Sequence, residues 1–468
     1  MGVKEKIKMR VGPWGIGWAI GAIIFAVVVT WQNRGLTFFW DEWDVVSATL
    51  ESPYYGILQD NGGNFFPLSR IVFGIELAIF GTWYPGYTIV TSLLFGGTAL
   101  AFNLLLDDGT KTRRILLTAF SLIYLSSTGV LFASSMGFML KWALSPLLAI
   151  LAAVFFIRSR EVGRNRNVML AIAWLFFFLS WASFSSSIIL MALLIVGLIH
   201  IAPRKLTGKT IASIQVKISL LILAISAALA VLGLKLAELN PPMNQLVGNA
   251  QGTIDGVLEL DPLNALLLAI AATFAGLVSV VIAIPIHNND VNAWLIVAFR
   301  DYLGLAVGLL MLAVGLIYYF KKTLPSRRLI LLFGLFFVAQ GFIAVARTPF
   351  IHRYQTLWVL IAILVILALI RWLNSLQLVV IKNSFIGFIV VASLVSMWHI
   401  GSNSLAMATI ERQRDMANSS TLVDPEECLE EASKTSEQIA PTISAQRLCS
   451  ILTSLNQREW IVERQVLQ

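Results

Sequence analysis

Apolar residues fall into long blocks separated by short polar stretches, at roughly 11–31, 84–106, 115–133, 142–157, 168–183, 185–202, 210–234, 264–286, 302–320, 329–346, 356–373 and 376–398. A helix rising 1.5 Å per residue needs about 20 apolar residues to cross a hydrocarbon core of about 30 Å, and most blocks are near that length. The pattern predicts an all-α polytopic membrane protein. The first block is longer than the apolar core of a secretory signal, and no small-residue cleavage site follows it, so a retained first span is expected.

Polar stretches between the blocks set the orientation. Lysine and arginine gather in KTRR at 111–114, RSREVGRNR at 158–166, PRKLTGK at 203–209 and KKTLPSRR at 321–328. By the positive-inside rule these four face the cytoplasm, as does the basic N-terminus MGVKEKIKMR. From 33 to 76 the balance reverses, with six carboxylates against Arg34 and Arg70, and this segment is expected outside. Alternation places 134–141 and 347–355 on the same outer side. Three blocks lie between the loops at 203–209 and 321–328, where only an even number of crossings fits, so 264–286 is expected in the interface or as a re-entrant pair. The shorter segment 67–81, which carries Arg70 and Glu76, reads as an interfacial helix.

The result is eleven crossings within a membrane domain over 1–398. Its first outer loop spans about 33–83, the N-terminus is cytoplasmic, and an extracytoplasmic tail follows at 399–468. Composition agrees: 57% of residues are apolar and 13% charged, against about 25% charged in soluble domains. A soluble enzyme, a secreted disulfide scaffold and an outer-membrane barrel are thereby excluded. The net charge of +8 divides into a tail of −4 and a membrane domain of +12, whose excess lies in the cytoplasmic loops. It reports orientation and calls for no nucleic-acid partner. Both cysteines, Cys428 and Cys449, lie in the tail. An oxidising compartment would pair them as a disulfide; two unpaired thiols are the alternative.

In so apolar a chain, the charges outside the cytoplasmic loops carry the candidate chemistry. FFWDEWDVV at 38–46 sets Asp41, Glu42 and Asp44 among Trp40, Trp43 and two phenylalanines. Crowded carboxylates repel one another, which a divalent cation or a general-base role would relieve. A solvated acidic loop with tryptophans anchored at the interface is the plainer reading. QDNGGNFFPLSR at 59–70 follows, an Asn-Gly-Gly turn leading into Pro67 at a helix start. RTPFIHRYQ at 347–355 crowds Arg347, His352, Arg353 and Tyr354 onto a short outer loop, where guanidinium forks suit a lipid phosphate. Interfacial snorkelling would account for the same residues. Lys141, at the outer end of a span, is open to the same pair of readings.

This order resembles the GT-C superfamily of integral-membrane glycosyltransferases, in particular its uncharacterised bacterial branch. The resemblance rests on a first span, W-D-E-W-D early in the outer loop, a polar turn before P-L-S-R, and a late outer R-Y loop. It implies a polyprenyl-phosphate-linked sugar as donor, a glycan or lipid as acceptor, and a site on the outer face of a bacterial inner (plasma) membrane among membrane lipids. Asp41 would match the catalytic base, and Glu42 or Asp44 a metal or acceptor ligand. Arg347 and Arg353 would hold the donor phosphate, with His352, Tyr354 and Lys141 beside them. Trp40, Trp43, Asn64 and Arg70 would contact substrate. Magnesium or manganese on Asp41 and Asp44 is the cofactor this implies. The polar turn reads NGGN at 61–64, where relatives often carry His and Glu, so it offers Asn64 alone.

Other chemistries find less support. The four histidines, at 200, 287, 352 and 399, have no ligand spacing, and no phosphate-binding glycine loop is present. Gly17 and Gly21 form a small-xxx-small pair that predicts helix packing in the first span. SWASFSSS at 180–187 lacks an adjacent base, which favours packing and backbone satisfaction over nucleophilic chemistry. The rival function is a secondary transporter or flippase for a lipid-linked or small anionic substrate. No convincing internal repeat of the kind such folds carry is visible.

Overall fold

A computed structural model of the chain describes residues 12–34, 36, 38, 41–51, 65–159, 165–202, 209–239, 355–375, 377–402 and, in the tail, 446, 449–451 and 453–454. Helix α1 (Pro13–Gln32) has proline in its first turn, where the missing N–H costs nothing. Next come α2 (Asp41–Glu51), α3 (Pro67–Phe80) and α4 (Tyr84–Leu106). The chain continues through α5 (Lys111–Leu125), α6 (Thr128–Ser134), a 3-10 turn at Gly137–Leu140, and α7 (Lys141–Arg158). Then follow α8 (Arg166–Ser183), a second 3-10 turn at Ser185–Ser187, α9 (Ile188–Ile201), α10 (Lys209–Leu239), α11 (Gln355–Ser375) and α12 (Val379–Ser402).

All regular structure among the described residues is helical. Five stretches are long and apolar enough to cross a membrane: Pro13–Gln32, Tyr84–Leu106, Gly137–Arg158, Arg166–Ser183 and Val379–Ser396. Ile188–Ile201, Lys217–Gly233 and Val359–Asn374 are shorter apolar helices. The blocks at 264–286, 302–320 and 329–346 lie outside the described residues. So do most residues of the tail, although Cys449 is seen to be disulfide-bonded.

Two local expectations are corrected. The block at 115–133 is not one helix. Ser126 Oγ turns back onto the Leu122 carbonyl, and Ser127 caps α6 by accepting the Val130 N–H at 3.4 Å. Serine side chains that compete for backbone groups end one helix and start the next. Gly17 and Gly21 face open space: a Cβ at either position would meet nothing within 4 Å. The buried stripe of α1 is Gly15, Trp18, Ala22, Phe25, Ala26 and Val29. Close approach comes instead at Gly96 of α4, where an added Cβ would stand 2.8 Å from Ala22 Cβ.

That contact fixes depth. The exposed side of α1 is an apolar stripe with Trp14 and Trp31 at its ends, 37% and 60% exposed. They are separated by about 26 Å at 1.5 Å per residue, which matches a hydrocarbon core edged by aromatic belts. Counting from the Ala22–Gly96 level, Trp31 lies about 14 Å up and Tyr84 about 18 Å up. In the other direction Trp14 lies about 12 Å down and Leu106 about 15 Å down. The starts of α4 and α7 therefore belong to one interface, and the α4–α5 turn to the other.

Candidate functional site

The acidic segment forms a helix. Three carboxylates in the first turn of α2 favour the positive end of a helix dipole. By helical spacing, positions 41 and 44 share a face and position 42 lies on another. Glu42 is fully buried. Tyr84 Oη reaches its Oε1 and Oε2 at 3.1 and 2.9 Å, and the Phe138 N–H donates to Oε1 at 3.1 Å. Tyr84 Oη also stands 2.9 Å from the Ser135 carbonyl and accepts the Gly137 N–H at 3.3 Å. One carboxylate thus pins α2 to the start of α4 and to the turn before α7. Phe38 completes the joint, meeting Phe73, Tyr84 and Tyr87 edge to face.

α3 is amphipathic with its polar side inward. Ile71, Ile75 and Ile79 are exposed, while Arg70, Phe73, Glu76 and Leu77 are buried. This is the arrangement expected of a helix at a lipid surface that turns its charges into protein. Its N-terminal end is stitched to the turn after α8. Phe65 N–H donates to Ser185 Oγ at 3.1 Å, Ser185 N–H to the Phe65 carbonyl at 3.0 Å, and Ser69 Oγ to the Ser183 carbonyl at 2.9 Å. The Ser145 hydroxyl pairs with the hydroxyls of both Ser180 and Ser187, joining α7 to α8 and to the second 3-10 turn. The serine-rich stretch is therefore a packing seam.

Two cations are buried at the same end. Arg70 lies 5.0 Å above the Phe66 ring. The Lys141 ammonium lies 4.2, 4.0 and 5.6 Å from the rings of Phe66, Phe138 and Phe184. Lys141 is 5% exposed, so it does not snorkel: three ring faces hold its charge inside the protein. Glu76 is also buried, and neither of its oxygens has a hydrogen-bond partner among the described residues. Burial, and secondarily the Glu42 carboxylate, push its carboxyl up to about 8. Tyr87 Oη, on the neighbouring α4, donates to the Gly81 carbonyl at 2.7 Å.

The structure thus brings Glu42, Arg70 and Lys141 to one end of the bundle. The side chains of Asp41, Trp43 and Asp44 lie outside the described set, as do residues Trp40, Asn64, Arg347, His352, Arg353, Tyr354 and Cys428. Among the described residues no three His, Cys, Asp or Glu side chains are grouped as metal ligands. With Glu42 turned to Tyr84 and Phe138, α2 offers a cation at most positions 41 and 44. The main addition is Tyr84. YPGY at 84–87 opens an apolar span, and tyrosine there is an apolar body whose hydroxyl needs a partner. That was its signal. No known protein family matches the sequence, and no curated protein or solved structure is similar to it.

Proposed function

We propose that the protein is a glycosyltransferase of GT-C type in a bacterial plasma membrane. It would move a sugar from a polyprenyl-phosphate donor to a glycan or lipid acceptor on the extracytoplasmic face, with inversion. One observation supports this above the rest: the helix that opens at Asp41 is anchored through Glu42 at the interface level, on the bundle end that buries Arg70 and Lys141. In this reading Asp41 takes the proton of an acceptor hydroxyl as its oxygen bonds to the anomeric carbon. The bond from that carbon to the lipid phosphate breaks on the opposite face, and the phosphate leaves with the electron pair. Arg347, Arg353 and Lys141 hold the departing charge, with His352 and Tyr354 beside them. Trp40, Trp43, Asn64 and Arg70 line the sugar and acceptor side, and Asp44 orients the acceptor. The test is Asp41→Asn in the native cell, with insertion and abundance checked. Glycan or glycolipid output should fall at least about 100-fold, the scale of a lost general base. Unchanged output at normal abundance overturns the reading.

Proton-coupled transport of a lipid-linked or small anionic substrate is the second reading. Glu76 favours it, because a buried carboxyl that changes charge near neutral pH is a feature of proton relays. Transport would survive Asp41→Asn and fail in Glu76→Gln, the reverse of the order expected for the transferase.

A further inference from the structure

The opposite interface holds a second charge cluster that neither reading uses. Arg113, in the first turn of α5, is 6% exposed. Its Nε donates to the carbonyl of Leu106, the last residue of α4, at 3.1 Å. Its Nη2 is buried and has no hydrogen-bond partner among the described residues. Arg371, exposed near the end of α11, donates from Nη1 to the carbonyl of Ile201, the last residue of α9, at 2.7 Å. α11 packs against α5, which brings the two guanidinium charges to the same end of the bundle, where they repel.

Capping of helix ends explains part of this, since terminal carbonyls lack partners within their own helices. It uses only Nε of Arg113, and explains neither the unpartnered Nη2 nor the approach of a second cation. Among the described residues, the two carboxylates that act on Arg113 are engaged elsewhere. Asp107 takes Arg114 Nε at 3.1 and 3.0 Å, and Asp108 Oδ1 accepts the Thr110 N–H and hydroxyl at 3.0 and 2.7 Å. Both act on Arg113 only at longer range. Two forks from different helices, one with a buried N–H left over, match an anion with several oxygens. The cluster lies at the level of Trp14, where lipid headgroups sit, and it includes the KTRR turn that the positive-inside rule assigns to the cytoplasm.

We propose that Arg113 and Arg371 form a binding site for the phosphate group of an anionic phospholipid in the cytoplasmic leaflet. Basic pockets between spans on that side recognise such headgroups. The site is independent of the transferase reading. The test uses the full-length chain, purified in neutral detergent, with added phosphatidylglycerol, phosphatidylcholine or inorganic phosphate at matched ionic strength. Phosphatidylglycerol should raise the unfolding midpoint by about 4 °C, as a ligand bound only to the folded state does. Phosphatidylcholine and inorganic phosphate should not. The shift should vanish in Arg113→Gln and in Arg371→Gln, and the latter, being exposed, carries the test alone if the former does not fold. No shift in the wild type overturns the site, as does one that persists in Arg371→Gln. An equal shift with inorganic phosphate overturns the lipid as its occupant.

Discussion

Replacing Glu76 with glutamine should make stability less dependent on pH and, above neutrality, higher. Glu76 is 4% exposed, lacks a hydrogen-bond partner among the described residues, and has its carboxyl pushed from 4.5 to about 8. The folded protein therefore keeps a proton on Glu76 that the solvated, unfolded chain releases near pH 4.5. Its contribution is fully present below that pH and is lost as pH rises toward about 8, with stability falling throughout the interval. At about 1.4 kcal/mol per pH unit the full loss is about 5 kcal/mol, an upper bound because water entering beside an ionised carboxylate would relax it. Glutamine keeps the shape and never ionises. Unfolding of the detergent-solubilised chain, followed at pH 5, 6, 7 and 8, should show wild type and Glu76→Gln within about 1 kcal/mol of each other at pH 5. By pH 8 they should diverge by about 4 kcal/mol, with the variant more stable. Parallel profiles over that range would refute the reasoning, because they would mean that Glu76 is solvated or paired.

Four further outcomes are expected. Tyr84→Phe removes the hydroxyl that joins Glu42 to the Ser135 carbonyl and the Gly137 N–H. It should cost about 1–3 kcal/mol in denaturant unfolding and raise amide exchange in α2 before α4 or α7. Gly96→Leu, whose Cβ would meet Ala22, should destabilise by about 1–3 kcal/mol, with partial rescue by Ala22→Gly. Gly17→Ala, facing open space, should be neutral or slightly stabilising by the same measurement. Reduction of the disulfide at Cys449 should remove about 3 kcal/mol from the tail, read as faster proteolysis there with the membrane helices intact.

Among the described residues the long apolar helices were legible, because the signal that marks them, apolar residues against charge, is the one that drives insertion. The apolar block at 84–106 starts and ends where α4 does, and α8 begins within two residues of its expected start. The break at Ser126–Ser127 was not legible, since serine barely changes hydropathy and acts there through its hydroxyl's choice of backbone partner. Pair contacts were less legible still. Gly17 and Gly21 have the spacing of a packing motif, but the face they occupy points away from α4, and the actual contact joins Ala22 to a glycine 74 positions further on. Lys141 shows the limit most clearly. A snorkelling lysine and a caged one have the same local sequence, and the cage is made of Phe66, Phe138 and Phe184, three segments that only the fold brings together.

The charges of this chain then sort by layer. At the interface of α2 and α3 they are buried with specific partners: Glu42 on Tyr84 and Phe138, Lys141 among rings, and Arg70 over Phe66. At the interface of the α4–α5 turn, the ion pair of Arg114 with Asp107 and the carbonyl contacts of Arg113 and Arg371 close helix ends. The distinction bears on mechanism. A charge that only set orientation would gain by reaching water, and Lys141 and Glu76 do not, although both lie within a few turns of an interface. Keeping an ammonium, and a carboxyl with no hydrogen-bond partner among the described residues, inside protein at that depth costs folding energy that an apolar residue would not. Their retention is therefore best explained by what the segment between α1 and α4 does there, and the acidic helix opening at Asp41 is the part of that segment built onto the same frame.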